Sequence, residues 1–216
     1  MDSLLIAIDG PSGSGKSTTA RLLAERHGLA YLDTGAMYRA ATAGVLAEGI
    51  ADDAVAAYVA GADLVIDTSA DGNRLTINGR DVTAEIREPR ISAAVSRVAT
   101  NLDVRRTLTD RMRSIIDEHR RRIVVEGRDI TTVVAPDADV RVLLVADPAA
   151  RVARREAELA GKADRAAVTD QVLRRDRDDS TVSNFTDAAE GVVVIDSTFI
   201  LPDEVVARIE ELLPAV

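Results

Sequence analysis

Gly10-Pro11-Ser12-Gly13-Ser14-Gly15-Lys16-Ser17-Thr18 follows the apolar run Leu4-Leu5-Ile6-Ala7-Ile8 and precedes a helical pattern holding Ala20, Leu22, Leu23 and Ala24. From Gly10 to Ser17 it spells Gly-x-x-x-x-Gly-Lys-Ser. Strand, glycine-rich loop and helix is the context in which this motif cradles phosphate. Three glycines let the backbone curl so that several N–H groups face one anion, and the following helix N-terminus adds partial positive charge. Lys16 reaches the outer phosphates of a nucleoside triphosphate, and the Ser17 hydroxyl suits magnesium. Every residue from Gly10 to Thr18 is therefore a candidate ATP-binding residue.

Working outward, Ala30-Tyr31-Leu32-Asp33 reads as a second strand and Ala36 to Glu48 as a helix closing near Gly49. The period then shortens. Leu64-Val65-Ile66, Leu75-Thr76-Ile77 and Arg80-Asp81-Val82 read as short strands, and Asn78-Gly79 is a hairpin signal. This antiparallel piece belongs to an inserted subdomain of about 53–88. Helices return over 89–100 and 104–121. Ile123-Val124-Val125-Glu126 and Val140–Ala146 are continuous apolar runs, as in strands covered on both faces. Asp147-Pro148 starts a charged helical stretch, and its segment 149–165 is a candidate lid. Val192–Ile195 is a last buried strand and 202–213 a closing helix. The predicted fold is α/β, a phosphate-binding-loop domain of three α/β/α layers. It spans 1–216 around a five-stranded parallel sheet, with the insert and the lid. Ligands are expected at the carboxyl ends of its strands.

Composition narrows the function. The chain of 216 residues is 46% hydrophobic with a net charge of −9, which argues against a general nucleic-acid surface. No apolar run approaches the roughly 20 residues of a membrane span. Asp2 and the lack of a basic start predict no secretory signal. Without cysteine, and with His27 and His119 alone, disulfides and Cys/His metal sites are excluded; both histidines are expected at the surface. These features predict a cytoplasmic enzyme without nucleic-acid or membrane partners. Of 27 basic residues 25 are arginine, so Lys16 stands where a compact ammonium fits better than a fork.

Three further features bear on the reaction. Asp33-Thr34-Gly35, with Tyr38-Arg39 one turn on, sets a carboxylate, a hydroxyl, a ring and a guanidinium at the ligand edge; an N-cap by Asp33 or Thr34 is the other reading, and both can hold together. Glu126-Gly127-Arg128-Asp129 leaves another strand at that edge. There Arg128 can fork a phosphate or a base and Asp129 can accept from an exocyclic amine. Arg151, Arg154 and Arg155 share a helix face, and Arg174, Arg175 and Arg177 follow; such runs are ordinarily solvated, but phosphoryl transfer needs supplied arginines.

Together these motifs resemble the cytidylate kinases, a branch of the nucleoside monophosphate kinase family. The resemblance rests on Ile8 to Ser17, Leu32 to Arg39, Asp81 to Arg87, Glu126 to Ile130, Thr132-Val133-Val134, Pro136-Asp137-Ala138 and Arg175-Asp176 to Asp179-Ser180-Thr181. It implies ATP-dependent phosphorylation of CMP and dCMP to CDP and dCDP, by a monomer. Acceptor contacts are implied at Thr34, Tyr38, Arg39, Ser96, Arg105, Arg128, Asp129, Arg175 and Asp179, with Arg39 and Arg105 suited to the acceptor phosphate. Lys16, Arg151, Arg154 and Arg155 are the expected catalytic groups, and Ser17 with Asp33 the expected Mg²⁺ contacts. The chain departs from the pattern at Val182, where the family carries an arginine, in lacking the downstream Pro-Leu pair, and at Thr131, where glycine is common. A kinase for another acceptor, or a regulatory ATPase, is the alternative. Against the latter, no clear apolar-strand-Asp element of the Walker-B kind follows the first motif, and the lid and insert suit closure on two substrates better than docking of a partner.

Overall fold

The computed structural model describes residues 3–72, 74–159, 177, 180, 181, 185 and 187–214. Strands β1 (Leu4–Asp9), β2 (Ala30–Asp33), β6 (Arg122–Gly127), β7 (Val140–Val145) and β8 (Val193–Asp196) form one parallel sheet in the order β2-β6-β1-β7-β8. These are the five strands expected from the apolar runs. β1 is buried along its whole length, and alternation divides it between two cores. Leu5 and Ala7 face a cluster that holds α2 (Thr34–Ala47), α4 (Pro89–Ala99) and α5 (Leu102–Glu118). Leu4, Ile6 and Ile8 face a second one, with α1 (Lys16–His27) and α7 (Pro202–Glu210). Burial on both faces is why β1, β6 and β7 read as apolar runs. β8 was expected to be buried, but it is an edge strand on which Val193, Val194 and Asp196 are exposed and only Ile195 is buried.

β1 and β6 are neighbours, yet the chain leaves β1 for β2 on one side and β6 for β7 on the other. That reversal opens a crevice at their carboxyl ends, where open α/β sheets bind ligands. The phosphate loop after β1 and Arg128-Asp129 after β6 meet there.

The insert contains α3 (Val55–Gly61) and an antiparallel sheet of β3 (Leu64–Ile66), β4 (Leu75–Ile77) and β5 (Arg80–Asp81). Asn78 and Gly79 have φ of 50° and 75°, as the expected two-residue hairpin requires. α2 is apolar nearly all round because it lies between the main sheet and this insert. Polar ties reinforce the contact. Arg21 donates to the Ala70 and Gly72 carbonyls at 2.9 Å each, and Arg80 to the Ala43 carbonyl at 3.0 Å.

α6 (Pro148–Leu159) starts where Asp147-Pro148 predicts, and the Asp147 carboxylate accepts from the Ala149 N–H at 2.8 Å. The rest of the expected lid, Arg175, Asp179 and Val182 lie outside the described residues. The two histidines are half-buried rather than free on the surface: His27 meets Glu210 at 3.0 Å and His119 meets Thr68 at 2.8 Å. No helix among the described residues is long and apolar enough to cross a membrane.

Candidate active site

The phosphate loop is held in its curve by its own residues. Lys16 Nζ donates across it to the Pro11 carbonyl at 3.0 Å, and the Ser14 N–H donates to the same carbonyl at 3.3 Å. Gly13 has φ of 77°, and a Cβ there would meet the Arg151 carbonyl at 2.6 Å. Only glycine fits that position, because α6 packs directly on the loop. Ser14 is buried on the underside, where its carbonyl accepts from Ser197 Oγ at 2.8 Å.

A cavity of about 470 Å³ opens above the loop, lined by Ser12, Gly13 and Gly15 to Thr18, by Asp33 and Glu126, and by Arg39, Arg87, Arg128 and Arg155. Arg21 lines it too, and six cationic groups counting Lys16, against two carboxylates, mark it for a strongly anionic ligand. Arg39 Nε is buried there and finds no acceptor among the described residues. Burial pulls this guanidinium below its ordinary pKa, and Asp33 counters that pull. Thr18 also lines a second cavity of about 340 Å³ on the loop's far side, with Arg154, Ala157, Ile200, Leu201 and Val205.

Glu126 is the residue the sequence reading passed over. It ends the apolar run of β6, and its Oε1 accepts from Ser17 Oγ at 2.6 Å and from Tyr31 OH at 3.2 Å. The signal was present, an apolar strand closing on a carboxylate, but the search was for Asp. Burial raises its pKa, the Asp33 charge adds to this, and Lys16, Ser17 and Tyr31 oppose it. An acid whose folded pKa lies above its unfolded value adds stability at low pH, lost as pH rises through the folded pKa. Glu126→Gln is therefore expected to melt higher than wild type at neutral pH without nucleotide, the gap closing on acidification. Melting curves from pH 4 to 8 check this.

Asp33 satisfies both readings. Its Oδ1 accepts from the Ala36 N–H at 2.8 Å as N-cap of α2, and its side chain also lines the cavity. Asparagine caps as well as aspartate does, whereas alanine costs about 1 kcal/mol. Asp33→Asn should thus keep wild-type stability but need several-fold more Mg²⁺ for half-maximal turnover, while Asp33→Ala should lose both; calorimetry and Mg²⁺ titration separate the two.

The acceptor candidates divide into groups. Asp129 is buried and ion-paired with Arg105, whose guanidinium stands 5.9 Å from the centre of the Tyr38 ring. Arg105 was expected on a phosphate. It serves the Asp129 carboxylate instead, because α5 sets it next to Tyr38 and outside the Lys16 cavity. Arg39 and Arg128 do line that cavity. Thr34 is buried and donates to the Glu126 carbonyl at 2.8 Å, tying α2 to β6. Gly127 makes that tie possible, since a Cβ there would meet Thr34 Oγ1 at 2.3 Å. Ser96 is half-buried on α4 and outside the cavity lining.

The three lid arginines were expected to act together. Only Arg155 reaches the cavity. Arg151 is buried and donates to the Ser12 carbonyl at 3.1 Å. Arg154 donates to the Ser197 carbonyl at 2.5 Å and to Ser197 Oγ at 3.1 Å. A shared helix face does not impose a shared target: Arg151 and Arg154 lie where α6 meets the loop and the β8 exit, and backbone carbonyls there take their N–H groups. Asp9 was likewise unassigned. Buried below the crevice, it accepts from the Ile130 and Thr131 N–H groups at 2.8 Å each and from Thr131 Oγ1 at 2.6 Å. Burial raises its pKa. These bonds hold the wide turn after Arg128-Asp129 against the strand that carries the phosphate loop. The threonine that replaces the common glycine supplies the last of them.

A family profile described as cytidylate kinase matches residues 6–215. The chain belongs to the cytidylate kinase family. A cytidylate kinase of Cutibacterium acnes is 58% identical over 216 residues, covering 98% of this chain and 96% of the relative. Another, of Rhodococcus opacus, is 46% identical and covers 96% and 93%. Among solved structures, an uncharacterized protein of Eubacterium ventriosum shares the fold with a TM-score of 0.52 at 13% identity, covering 97% of each chain. Membership of the family agrees with the resemblance read from the motifs, and the parallel sheet with its phosphate loop agrees with the fold expected.

Proposed function

We propose that this protein transfers the terminal phosphoryl group of ATP to CMP and dCMP, giving CDP and dCDP for pyrimidine nucleotide metabolism. The observation that carries the proposal is the buried Arg105–Asp129 pair beside a cavity rich in arginine. Asp129 is ion-paired with Arg105 and suits the exocyclic amine of cytosine. Uracil offers a carbonyl at that position, which would set two acceptors face to face with no hydrogen between them. The arginine-rich cavity suits the donor and acceptor phosphates.

In this reading an oxygen of the acceptor monophosphate attacks the terminal phosphorus of ATP, and the bond to the bridging oxygen breaks. The attacking oxygen is already an anion, so no general base is needed. The protein contributes position and charge. Lys16 and the loop N–H groups hold the donor, Arg39 and Arg128 hold the acceptor phosphate, and Arg155 meets the charge that spreads over the transferred group. Arg151 and Arg154 act indirectly, by fixing the loop and α6. Exclusion of water by the lid would keep the phosphoryl group from hydrolysis. The Ser17 hydroxyl with Asp33 and Glu126 offers hard oxygen ligands that fit Mg²⁺, which usually takes one or two carboxylates, phosphate oxygens and water. Bound there, the ion would neutralise phosphate charge. We take a monomer as the working unit and the cytoplasm as its site of action.

ATP consumption with Mg²⁺, with and without CMP, dCMP, UMP or AMP, tests the proposal. Consumption should depend on CMP or dCMP. Consumption indifferent to any monophosphate would fit a regulatory ATPase, and a preference for UMP or AMP would remove the argument from Asp129.

A further inference from the structure

Phe185 is 1% exposed, among the most deeply buried large side chains among the described residues. A buried phenylalanine ordinarily joins a core, since its whole ring is apolar. Among the described residues, this one belongs to neither apolar cluster. Its face instead carries the Arg128 guanidinium, 4.3 Å from the ring centre. Arg128 in turn lines the cavity above the phosphate loop.

We infer that Phe185 is a positioning residue for the acceptor: it holds the Arg128 guanidinium flat at the place where that group meets the acceptor phosphate. The inference rests on the kinase reading above. Gly127 precedes Arg128 and permits a sharp backbone exit, so the direction of the side chain must be set by something it packs against. The neighbourhood also works against it. Arg39, Arg87, Arg155 and Lys16 line the same cavity and repel another cation. An aromatic face attracts the cation through its quadrupole and fixes the guanidinium plane. A leucine of similar bulk would fill the space and give no such orientation.

The test compares Phe185→Leu, Phe185→Trp and Arg128→Lys with the double variant of Phe185→Leu and Arg128→Lys, by steady-state kinetics, ATP affinity and melting temperature. Phe185→Leu is expected to lower kcat/KM for CMP about tenfold, as a desolvated cation–π contact implies, with ATP affinity unchanged. Phe185→Trp should stay within about twofold of wild type. On Arg128→Lys, which keeps the charge and loses the planar fork, Phe185→Leu should add little. A purely structural ring would instead lower both substrates' use in step with melting temperature, and tryptophan would rescue nothing; that pattern overturns the inference, as does a Phe185→Leu enzyme equal to wild type. The Arg128 side-chain N–H resonance, assigned through Arg128→Lys, should be shifted by the ring current and return to its ordinary position in Phe185→Leu; no change overturns the stack itself. A wild-type protein indifferent to CMP defeats the functional reading, and the positioning role with it. Wild-type CMP turnover with an unaffected Phe185→Leu defeats this inference alone.

Discussion

Lys16→Ala is expected to lower kcat by about 10³-fold, the scale of removing one preorganised donor from a charge-stabilising site. Lys16 is the one group placed to act on both the loop and the donor phosphates: its ammonium bridges to the Pro11 carbonyl at 3.0 Å and also lines the cavity. ATP should still bind, because the loop N–H groups and the α1 N-terminus remain. Binding titration beside single-turnover kinetics checks the split. An equal loss in affinity and turnover would mean that Lys16 mainly shapes the loop. Lys16→Arg should rescue poorly, since a guanidinium cannot replace a compact ammonium at the loop's centre. The scarcity of lysine elsewhere in the chain fits that requirement.

Asp129→Ala is expected to lower kcat/KM for CMP by about 10² to 10³, leaving ATP affinity within about twofold. Two costs combine. The cytosine amine loses its acceptor, and half-buried Arg105, which keeps its bond to the Ala99 carbonyl at 3.0 Å, loses the carboxylate that compensates its charge. A lower melting temperature should therefore accompany the kinetic loss. Asp129→Asn separates the two effects: its amide oxygen can still accept from cytosine, while its NH₂ group can also donate to the uracil carbonyl, so discrimination against UMP should relax. Equal damage to CMP and ATP use would refute the assignment of Asp129 to the acceptor base.

Sheet and loops were legible in the sequence for a simple reason. A parallel strand covered on both faces is apolar nearly throughout, so Leu4–Ile8, Ile123–Val125 and Val142–Val145 announce themselves. Asn78-Gly79 is as local a signal, because positive φ at consecutive residues is what the hairpin demands. The family motifs added the acceptor half. Glu126 escaped because its meaning depends on Ser17, 109 residues away. The double duty of Asp33 was anticipated, since capping is local and the ligand edge follows from the strand.

The arginines show where local reading fails. Arg151, Arg154 and Arg155 look equivalent on a helical wheel, yet α6 rests on the phosphate loop, and only Arg155 projects into the cavity. Arg105 and Arg39 looked equally fit for phosphate, yet one is buried beside a carboxylate and the other lines the cavity. By itself the sequence determined the layers, the phosphate loop, the insert and the family, because periodicity, turn chemistry and motif spacing are local properties. Tertiary structure decided which carboxylate meets Ser17, which arginine holds Asp129, and that Phe185 lies under Arg128. Those are choices among chemically identical side chains, and only packing between elements far apart in the chain can make them.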